Sequence, residues 1–184
     1  GSDFLVADMS MATSGLRMQA SGFGWTTIEA RDGSYDLDLY GFERLDLTGA
    51  ARSDRRYGFA ESDTLSGGAG RDILDGNGGN DTLTGGSGLD QFLFNDLRND
   101  GVDLITDAEM GEILRLNGVT LTGAISAGNG TGLTTGDVHV QSAGGVTTLY
   151  VGLDSTPDAD FSVQLSGGFG VTDFSAVGSD ILLV

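Results

Sequence analysis

A nine-residue repeat runs without a gap through the middle of this 184-residue chain. Residues 67–93 read GGAGRDILD, GNGGNDTLT and GGSGLDQFL, and residues 58–66 form a weaker unit in the same phase. Each full unit has glycine at its first and fourth positions, aspartate at its sixth and an apolar residue at its eighth. A strict period of this length restricts the chain to an architecture in which short similar units stack on one another.

The composition of one unit predicts its local structure. The first six residues are rich in Gly, Asn and Asp, which favour a turn because glycine adopts positive φ without a Cβ clash. The last three residues form a very short strand with one apolar side chain directed inward. Stacking would therefore bury a column that contains Leu74, Leu83 and Phe92. One short strand in each turn buries little apolar area, so such a column needs additional stabilisation.

Stacking also brings a row of aspartates together, and their charges must be neutralised. The chain has 27 acidic residues against 9 basic residues, all of them arginine, and a formal net charge of −18. A hard divalent cation bound by carboxylates and turn carbonyls would neutralise the row, and calcium suits a flexible all-oxygen site better than magnesium. So acidic a chain should be repelled by nucleic acid and by anionic membranes.

The glycine-rich nonapeptide with its phased aspartates resembles the calcium-binding repeats of the repeats-in-toxin (RTX) family of secreted bacterial proteins. The resemblance implies an all-β fold, a right-handed parallel β-roll (β-helix) with flanking β-coils and a C-terminal β-strand cap. In that family two units make one coil, which would place Asp63 beside Asp81 and Asp72 beside Asp90. Backbone carbonyls of the first four residues of each turn would complete the calcium shells. The implied metal-site residues are Asp63, Gly67, Gly68, Ala69, Gly70, Asp72, Gly76, Asn77, Gly78, Gly79, Asp81, Gly85, Gly86, Ser87, Gly88 and Asp90.

Further acidic candidates follow the repeats. The run GVDLITDAEMGEILRLNGV, residues 101–119, resembles the segment that commonly follows RTX repeats, where an acidic turn between two strands closes the roll. The resemblance makes Asp100, Asp103 and Asp107 candidate ligands of a final calcium ion, with a solvated acidic loop as the alternative for each. Ala108 stands where the family usually has an aromatic residue, which weakens the match at that point.

These patterns divide the chain into three segments. Residues 1–57 are predicted to be irregular β-coils that cap the N-terminal end of the roll, residues 58–94 the nonapeptide β-roll, and residues 95–184 a C-terminal capping and secretion-signal region. The tail VTDFSAVGSDILLV ends with an acid and four apolar residues, as type I secretion substrates of this family often do. An ordinary last strand is the alternative. The tail also resembles the region that closes the R-modules of bacterial alginate epimerases.

The basic cluster Arg52, Arg55 and Arg56 precedes the repeats. Asp54 lies nine residues before Asp63, so this segment could be a first, degraded unit. The arginines could bind an acidic polysaccharide. Alternatively, they lie in a solvated loop where their charges offset nearby carboxylates.

Other classes of function fit the sequence less well. A disordered Gly/Asp-rich linker has no reason to keep an apolar residue at every ninth position. A phosphate-binding loop would need a Gly-Lys-Ser/Thr ending, and the chain contains no lysine. Cysteine is absent and His139 is the only histidine, which argues against a zinc site. A carboxylate pair could cleave glycosides, but the phased aspartates serve better as calcium ligands. We therefore predict that this chain is not an enzyme, although a longer parent protein could be one.

The favoured hypothesis is a calcium-binding module that folds outside the cell after type I secretion. No stretch is long and apolar enough to span a bilayer, and the first residues do not predict a classical signal peptide. The expected partners are calcium ions and, during export, the type I secretion apparatus, and the expected location is extracellular or at the cell surface. Two alternatives stay open: a polysaccharide-binding accessory module of a secreted carbohydrate-active enzyme, and a structural module of an adhesin or surface-layer protein.

Overall fold

The computed structural model describes residues 51–98, 100–122 and 125–184 with their side chains. Within residues 1–50 it describes the backbone of five strands. These are Phe4–Asp8 (β1), Leu16–Ser21 (β2), Trp25–Ala30 (β3), Asp36–Tyr40 (β4) and Arg44–Thr48 (β5).

Seven short strands then alternate between two sheets, as a roll with two strands in each coil requires. They are Arg55–Tyr57 (β6), Thr64–Ala69 (β7), Ile73–Asp75 (β8), Thr82–Ser87 (β9), Gln91–Phe94 (β10), Val102–Ile105 (β11) and Ile113–Leu116 (β12). The odd-numbered strands from β5 to β11 are neighbours in the first sheet, and the even-numbered strands from β6 to β12 are neighbours in the second.

All pairs within this run are parallel, and the repeat sets their register. Thr64 pairs with Thr82 and Ile73 pairs with Gln91, so neighbouring strands are two nine-residue units apart. The expected all-β parallel roll is therefore confirmed. The last coil is longer, because residues that meet there are 22 apart in sequence instead of 18. The parallel coil thus continues past residue 94 to Leu116.

Antiparallel strands extend both sheets beyond the roll. Val102–Ile105 pairs in parallel with a distant strand, Phe161–Ser166, which carries an antiparallel hairpin on its far side. The second sheet ends in another hairpin, which pairs antiparallel with β12 after a turn of 3-10 helix at Val171–Asp173. The strands are Ile125–Ala127 (β13), Val138–Ala143 (β14), Val146–Val151 (β15), Phe161–Ser166 (β16), Phe174–Val177 (β17) and Asp180–Leu183 (β18).

The N-terminal strands extend the opposite ends of the two sheets. β1 pairs in parallel with β5, while β2 joins β6 and carries β3 and β4 as antiparallel neighbours. Some of the strands at this end are antiparallel, and the division of the chain into three segments, with N-terminal β-coils that cap the roll, stays a prediction. Within the residues that have been described, no helix is long and apolar enough to cross a membrane.

The interior of the roll consists of two columns of eighth-position side chains. The prediction of one column is wrong, because successive units alternate between the sheets, which separates Leu83 from Leu74 and Phe92. In the first sheet Leu65, Leu83 and Ile105 lie one above another and are fully buried. The apolar core continues from this column into the C-terminal strands. In the second sheet one member of the column is charged, although it is fully buried. That column consists of Arg56, Leu74, Phe92 and Leu114.

Candidate metal centre

The sixth-position aspartates of alternate units stack into two ladders inside the turns. In each step, the backbone N–H of one aspartate donates to Oδ1 of the aspartate one coil further on. The N···O distances are 2.6 Å for Asp54 to Asp72, 2.7 Å for Asp63 to Asp81, 2.7 Å for Asp72 to Asp90 and 2.9 Å for Asp81 to Asp103. The expected meeting of Asp63 with Asp81 and of Asp72 with Asp90 is therefore confirmed.

The first-position glycines leave room for the second carboxylate oxygen. A Cβ on Gly67 would lie 2.6 Å from Oδ2 of Asp72 and would also clash with the carbonyl oxygen of Gly85, in the next coil. A carboxylate oxygen and a carbonyl oxygen thus converge where the side chain is missing. Two acceptors that face each other can both be satisfied by a cation. The same crowding of the glycine by the aspartate of its own unit recurs at Gly58, Gly76 and Gly85.

Several buried carboxylate oxygens in the described part of the chain have no hydrogen-bond partner. Burying an ionised oxygen without a donor or a counter-ion is strongly unfavourable, so the fold requires positive charge at these points. The oxygens are Oδ2 of Asp72, Asp81 and Asp90, both carboxylate oxygens of Asp100, and Oε1 of Glu112.

The pKa values of these groups show the same deficit of positive charge. Burial, together with neighbouring carboxylates, raises the pKa of Asp81 to about 7 and that of Asp103 to about 8. Burial likewise raises the pKa of Glu112 to about 7 and those of Asp72 and Asp100 to about 6. A bound divalent cation would favour the ionised form and reverse these shifts.

The repeats are similar to those of a known protein family. Residues 57–92 match the family model of the RTX calcium-binding nonapeptide repeat, in four copies. A solved structure, the solution structure of the AlgE6R3 subunit from the Azotobacter vinelandii mannuronan C5-epimerase, is 31% identical in sequence. The match covers 67% of this chain and 70% of that chain, with a TM-score of 0.46. The chain belongs to the RTX family. No curated protein sequence matches it significantly.

The RTX repeats therefore make this chain a calcium-binding repeat module. In the described part of the chain, no three acidic or histidine side chains converge closely enough to hold a metal ion by themselves. The other ligands would then be backbone carbonyls, as the sequence predicted for the turn residues. The residues assigned to those shells remain a prediction.

An insertion at residues 94–97 separates two further units of the roll from a strict nine-residue count. Residues 98–106 place Gly101, Asp103 and Ile105 at the fourth, sixth and eighth positions, and residues 107–115 place Glu112 at the sixth. Their strands keep the register, since Leu104 pairs with Thr82 and Ile113 pairs with Gln91. The sequence interpretation missed Glu112, which restarting the count after the insertion would have found.

The two other acidic candidates behave differently. Asp100, the third residue of its unit, is buried and has two oxygens without donors. Burial and, to a smaller extent, the charge of the nearby Asp75 raise its pKa. Asp107 instead accepts hydrogen bonds from the N–H groups of Gly85 and Gly86, at 2.9 and 2.8 Å. Asp75 was also missed, because it occupies the variable ninth position of its unit and no pattern marks it.

Arg56 lies inside the roll, with an exposed fraction of 0%. Its guanidinium donates to the carboxylate of Asp54 and to the carbonyl oxygen of Ser66. The interpretation of Arg56 as part of a surface that binds polysaccharide is therefore wrong, because no ligand can reach it. The alternative, a charge that offsets nearby carboxylates, holds for this residue, but in the interior instead of a solvated loop. Arg52 and Arg55 are exposed.

Proposed function

We propose that this chain is a calcium-dependent folding module of an exported protein. It stays unfolded where calcium is scarce and forms the roll where calcium is abundant. One observation carries the proposal: the folded roll buries carboxylate oxygens that no donor in the described part of the chain satisfies, among them Oδ2 of Asp72, Asp81 and Asp90.

Without calcium, three costs oppose folding. The buried carboxylates lose hydration without gaining a partner, and the net charge of −18 repels itself in a compact state. The chain also has 32 glycines, which lose more backbone entropy on folding than other residues do. The thin columns of eighth-position side chains offset these costs only partly.

Calcium changes this balance by linkage. An ion that binds only the folded chain stabilises it by RT ln(1 + [L]/Kd) for each site. Extracellular modules of this kind have Kd of roughly 10⁻⁴–10⁻³ M. At low-millimolar calcium, each site would then contribute about 0.5–2.5 kcal/mol. Several sites in one roll make folding steeply dependent on calcium.

The chain's own residues divide the work of binding. The sixth-position carboxylates supply negative charge, while the Oδ1 hydrogen bonds between coils fix their orientation. The first-position glycines leave space beside Oδ2. Positive φ at Gly68, Gly70 and Gly79 sets the turn conformation from which carbonyls would reach the ion. Calcium supplies the positive charge.

Export by a type I secretion apparatus completes the proposal, with folding at an extracellular or cell-surface location. RTX membership supports it, as does the tail, which has the form expected of an export signal. In the folded chain Ile181 and Leu183 are buried in β18. The two roles are compatible, because export of the unfolded chain precedes burial of these residues.

The test is far-UV circular dichroism of the chain in calcium-free buffer, followed by titration with calcium. We expect a largely unfolded spectrum that becomes β-rich at low-millimolar calcium and reverts with excess chelator. Magnesium at the same concentration is the control, and it should have little effect because it accommodates such a flexible site poorly. A β-rich spectrum that chelator leaves unchanged would contradict the proposal.

A second candidate function is that of an accessory module in a carbohydrate-active enzyme. The 31% identity with the R3 subunit of the mannuronan C5-epimerase favours it. Because Arg56 is buried, Arg52 and Arg55 remain as the exposed arginines of the cluster. Titration of the calcium-loaded chain with mannuronan oligomers would test it. Binding that Arg52→Ala and Arg55→Ala together weaken would support it, and no measurable binding would remove it.

A further inference from the structure

Arg56 gives the aspartate of its own unit a positively charged hydrogen-bond donor, which three later aspartates of the roll lack. In the units that contain Asp72, Asp81 and Asp90, the Oδ2 atom is buried and has no partner. Two units before that of Asp72, the corresponding oxygen of Asp54 accepts a hydrogen bond from Nη2 of Arg56. The same atom that lacks a cation in the later turns therefore already has one here.

The guanidinium of Arg56 is a buried, in-register part of the roll. Arg56 occupies the eighth position, pairs in register with Leu74 and directs its side chain into the interior. Burial lowers the pKa of its guanidinium, while the negative charges of Asp54 and Asp72 oppose that shift. Both aspartates of the first step in the ladder thus act on this one positive charge.

We infer that the guanidinium of Arg56 takes the place of a metal ion in the turn pair that ends at Asp54 and Asp72. That pair binds no calcium and keeps its structure without it, whereas the later pairs depend on calcium. The inference rests on the proposed function, because it divides the roll into a part that needs the ion and a part that does not.

One positive charge is sufficient at this step. Oδ1 of Asp72 accepts the N–H of Asp54, and Oδ2 of Asp72 faces the carbonyl oxygen of Gly85 in the following coil. The carboxylate of Asp72 therefore contributes its second oxygen to the next step, and Asp54 is the acid that must be neutralised here. A calcium ion beside the guanidinium would add strong repulsion between two cations at short distance.

Arg56 also makes a contact between the two sheets, which an ion bound in the turn would not make. Its Nη1 donates to the carbonyl oxygen of Ser66, on the opposite sheet, so the side chain links the two sheets of the first coil from inside. In the next unit the protein supplies a donor as well, because the backbone N–H of Phe59 donates to Oδ2 of Asp63 at 2.5 Å. The protein itself thus supplies donors to the carboxylates at the N-terminal end of the roll, whereas the inference assigns calcium to the carboxylates of the following coils.

The decisive experiment compares calcium stoichiometry by native mass spectrometry and isothermal titration in the wild type, Arg56→Leu and Arg56→Lys. Leucine restores the usual eighth-position residue and exposes Asp54 to the same deficit as Asp81. We expect Arg56→Leu to bind one calcium ion more than the wild type, and Arg56→Lys to bind the wild-type number. A folded Arg56→Leu chain with the wild-type number would overturn the inference.

A second measurement keeps the inference testable if Arg56→Leu does not fold. Hydrogen exchange of the wild type is followed while free calcium is lowered in steps. Amides of residues 64–75 should keep their protection to a calcium concentration at least threefold lower than amides of residues 91–116. Simultaneous loss in both segments would contradict the inference. A wild type that binds no calcium would instead contradict the proposed function, so the two failures differ.

Discussion

The roll and the C-terminal region both contain aspartates, but the two groups lie in opposite electrostatic environments. In the roll, burial and the negative charges of Asp63 and Asp100 raise the pKa of Asp81 to about 7. Beyond the roll, hydrogen bonds from Thr156 and Arg98 lower the pKa of Asp154 to about 2. The presence of an aspartate therefore does not by itself indicate a metal site in this chain. A buried aspartate without hydrogen-bond donors does.

The strand arrangements of the two regions explain this difference in environment. Parallel coils stack turn upon turn, so the aspartates of successive turns are forced together at the edge of the roll. The antiparallel strands β14, β15 and β16 are joined without such stacked turns. Acids beside these strands, namely Asp137, Asp154 and Asp160, accept hydrogen bonds from local donors. Asp137, for example, accepts from the N–H and the hydroxyl of Thr134, at 3.0 and 2.8 Å.

The largest expected effect concerns pH in the absence of calcium, because several carboxylates of the roll act together. Their pKa values lie near 7 for Asp81 and Glu112 and near 8 for Asp103 in the folded chain, against about 4 when unfolded. Between those values the metal-free fold binds more protons than the unfolded chain. Its stability should therefore be greatest near pH 4–5 and fall as pH rises towards 8.

Thermal melts in calcium-free buffer at pH 5 and pH 8 measure this effect. We expect a more cooperative transition, at higher temperature, at pH 5. With saturating calcium the trend should reverse between these pH values, because binding requires ionised carboxylates. A metal-free chain that is more stable at pH 8 than at pH 5 would show that its aspartates already have counter-ions, as those of the C-terminal strands do.

The stacked part of the fold could be predicted because a strict period determines the register. Once two units form one coil, the pairing of Asp63 with Asp81 follows from sequence spacing alone. The four extra residues at 94–97 removed that constraint, so Glu112 was not recognised as the acid that follows Asp90 in its ladder. Arg56 broke the apolar pattern at its position, and its burial depends on the adjacent acid of its own unit.

The C-terminal strands could not be placed in the same way. Their alternation of apolar and polar residues predicts strands, but it carries no register. Val102 pairs with Ser162, far along the chain, and no local pattern specifies that contact. The choice depends on which edge of the roll offers a matching apolar surface, and this is a property of the folded molecule.

A smaller effect, limited to one site, is expected for Asp81→Asn. Asparagine keeps the acceptor for the N–H of Asp63 but removes the charge from the unpartnered oxygen. Calcium should bind that site at least tenfold more weakly, or about 1.4 kcal/mol, by isothermal titration. In calcium-free buffer the variant should be at least as stable as the wild type, because a buried unpaired charge has been removed.

Asp137→Asn is the matched control for this substitution. Its carboxylate lies outside the roll and already has donors from Thr134, so calcium affinity should not change. An Asp81→Asn chain that loses stability equally with and without calcium would show that Asp81 has a packing role only. Equal effects of the two substitutions on calcium affinity would remove the distinction between the regions.

The smallest effect is expected where the two regions meet. Arg115 of β12 donates to both oxygens of Asp180 on β18, at 2.7 and 2.8 Å, and these hydrogen bonds lower the pKa of Asp180. The pair is partly exposed, so Asp180→Asn should destabilise the calcium-loaded chain by about 1 kcal/mol or less in urea unfolding. The loss should shrink in 1 M salt, because the attraction between exposed charges is screened. A loss of several kcal/mol would mean that the C-terminal hairpin, and not calcium alone, holds the last coil of the roll together.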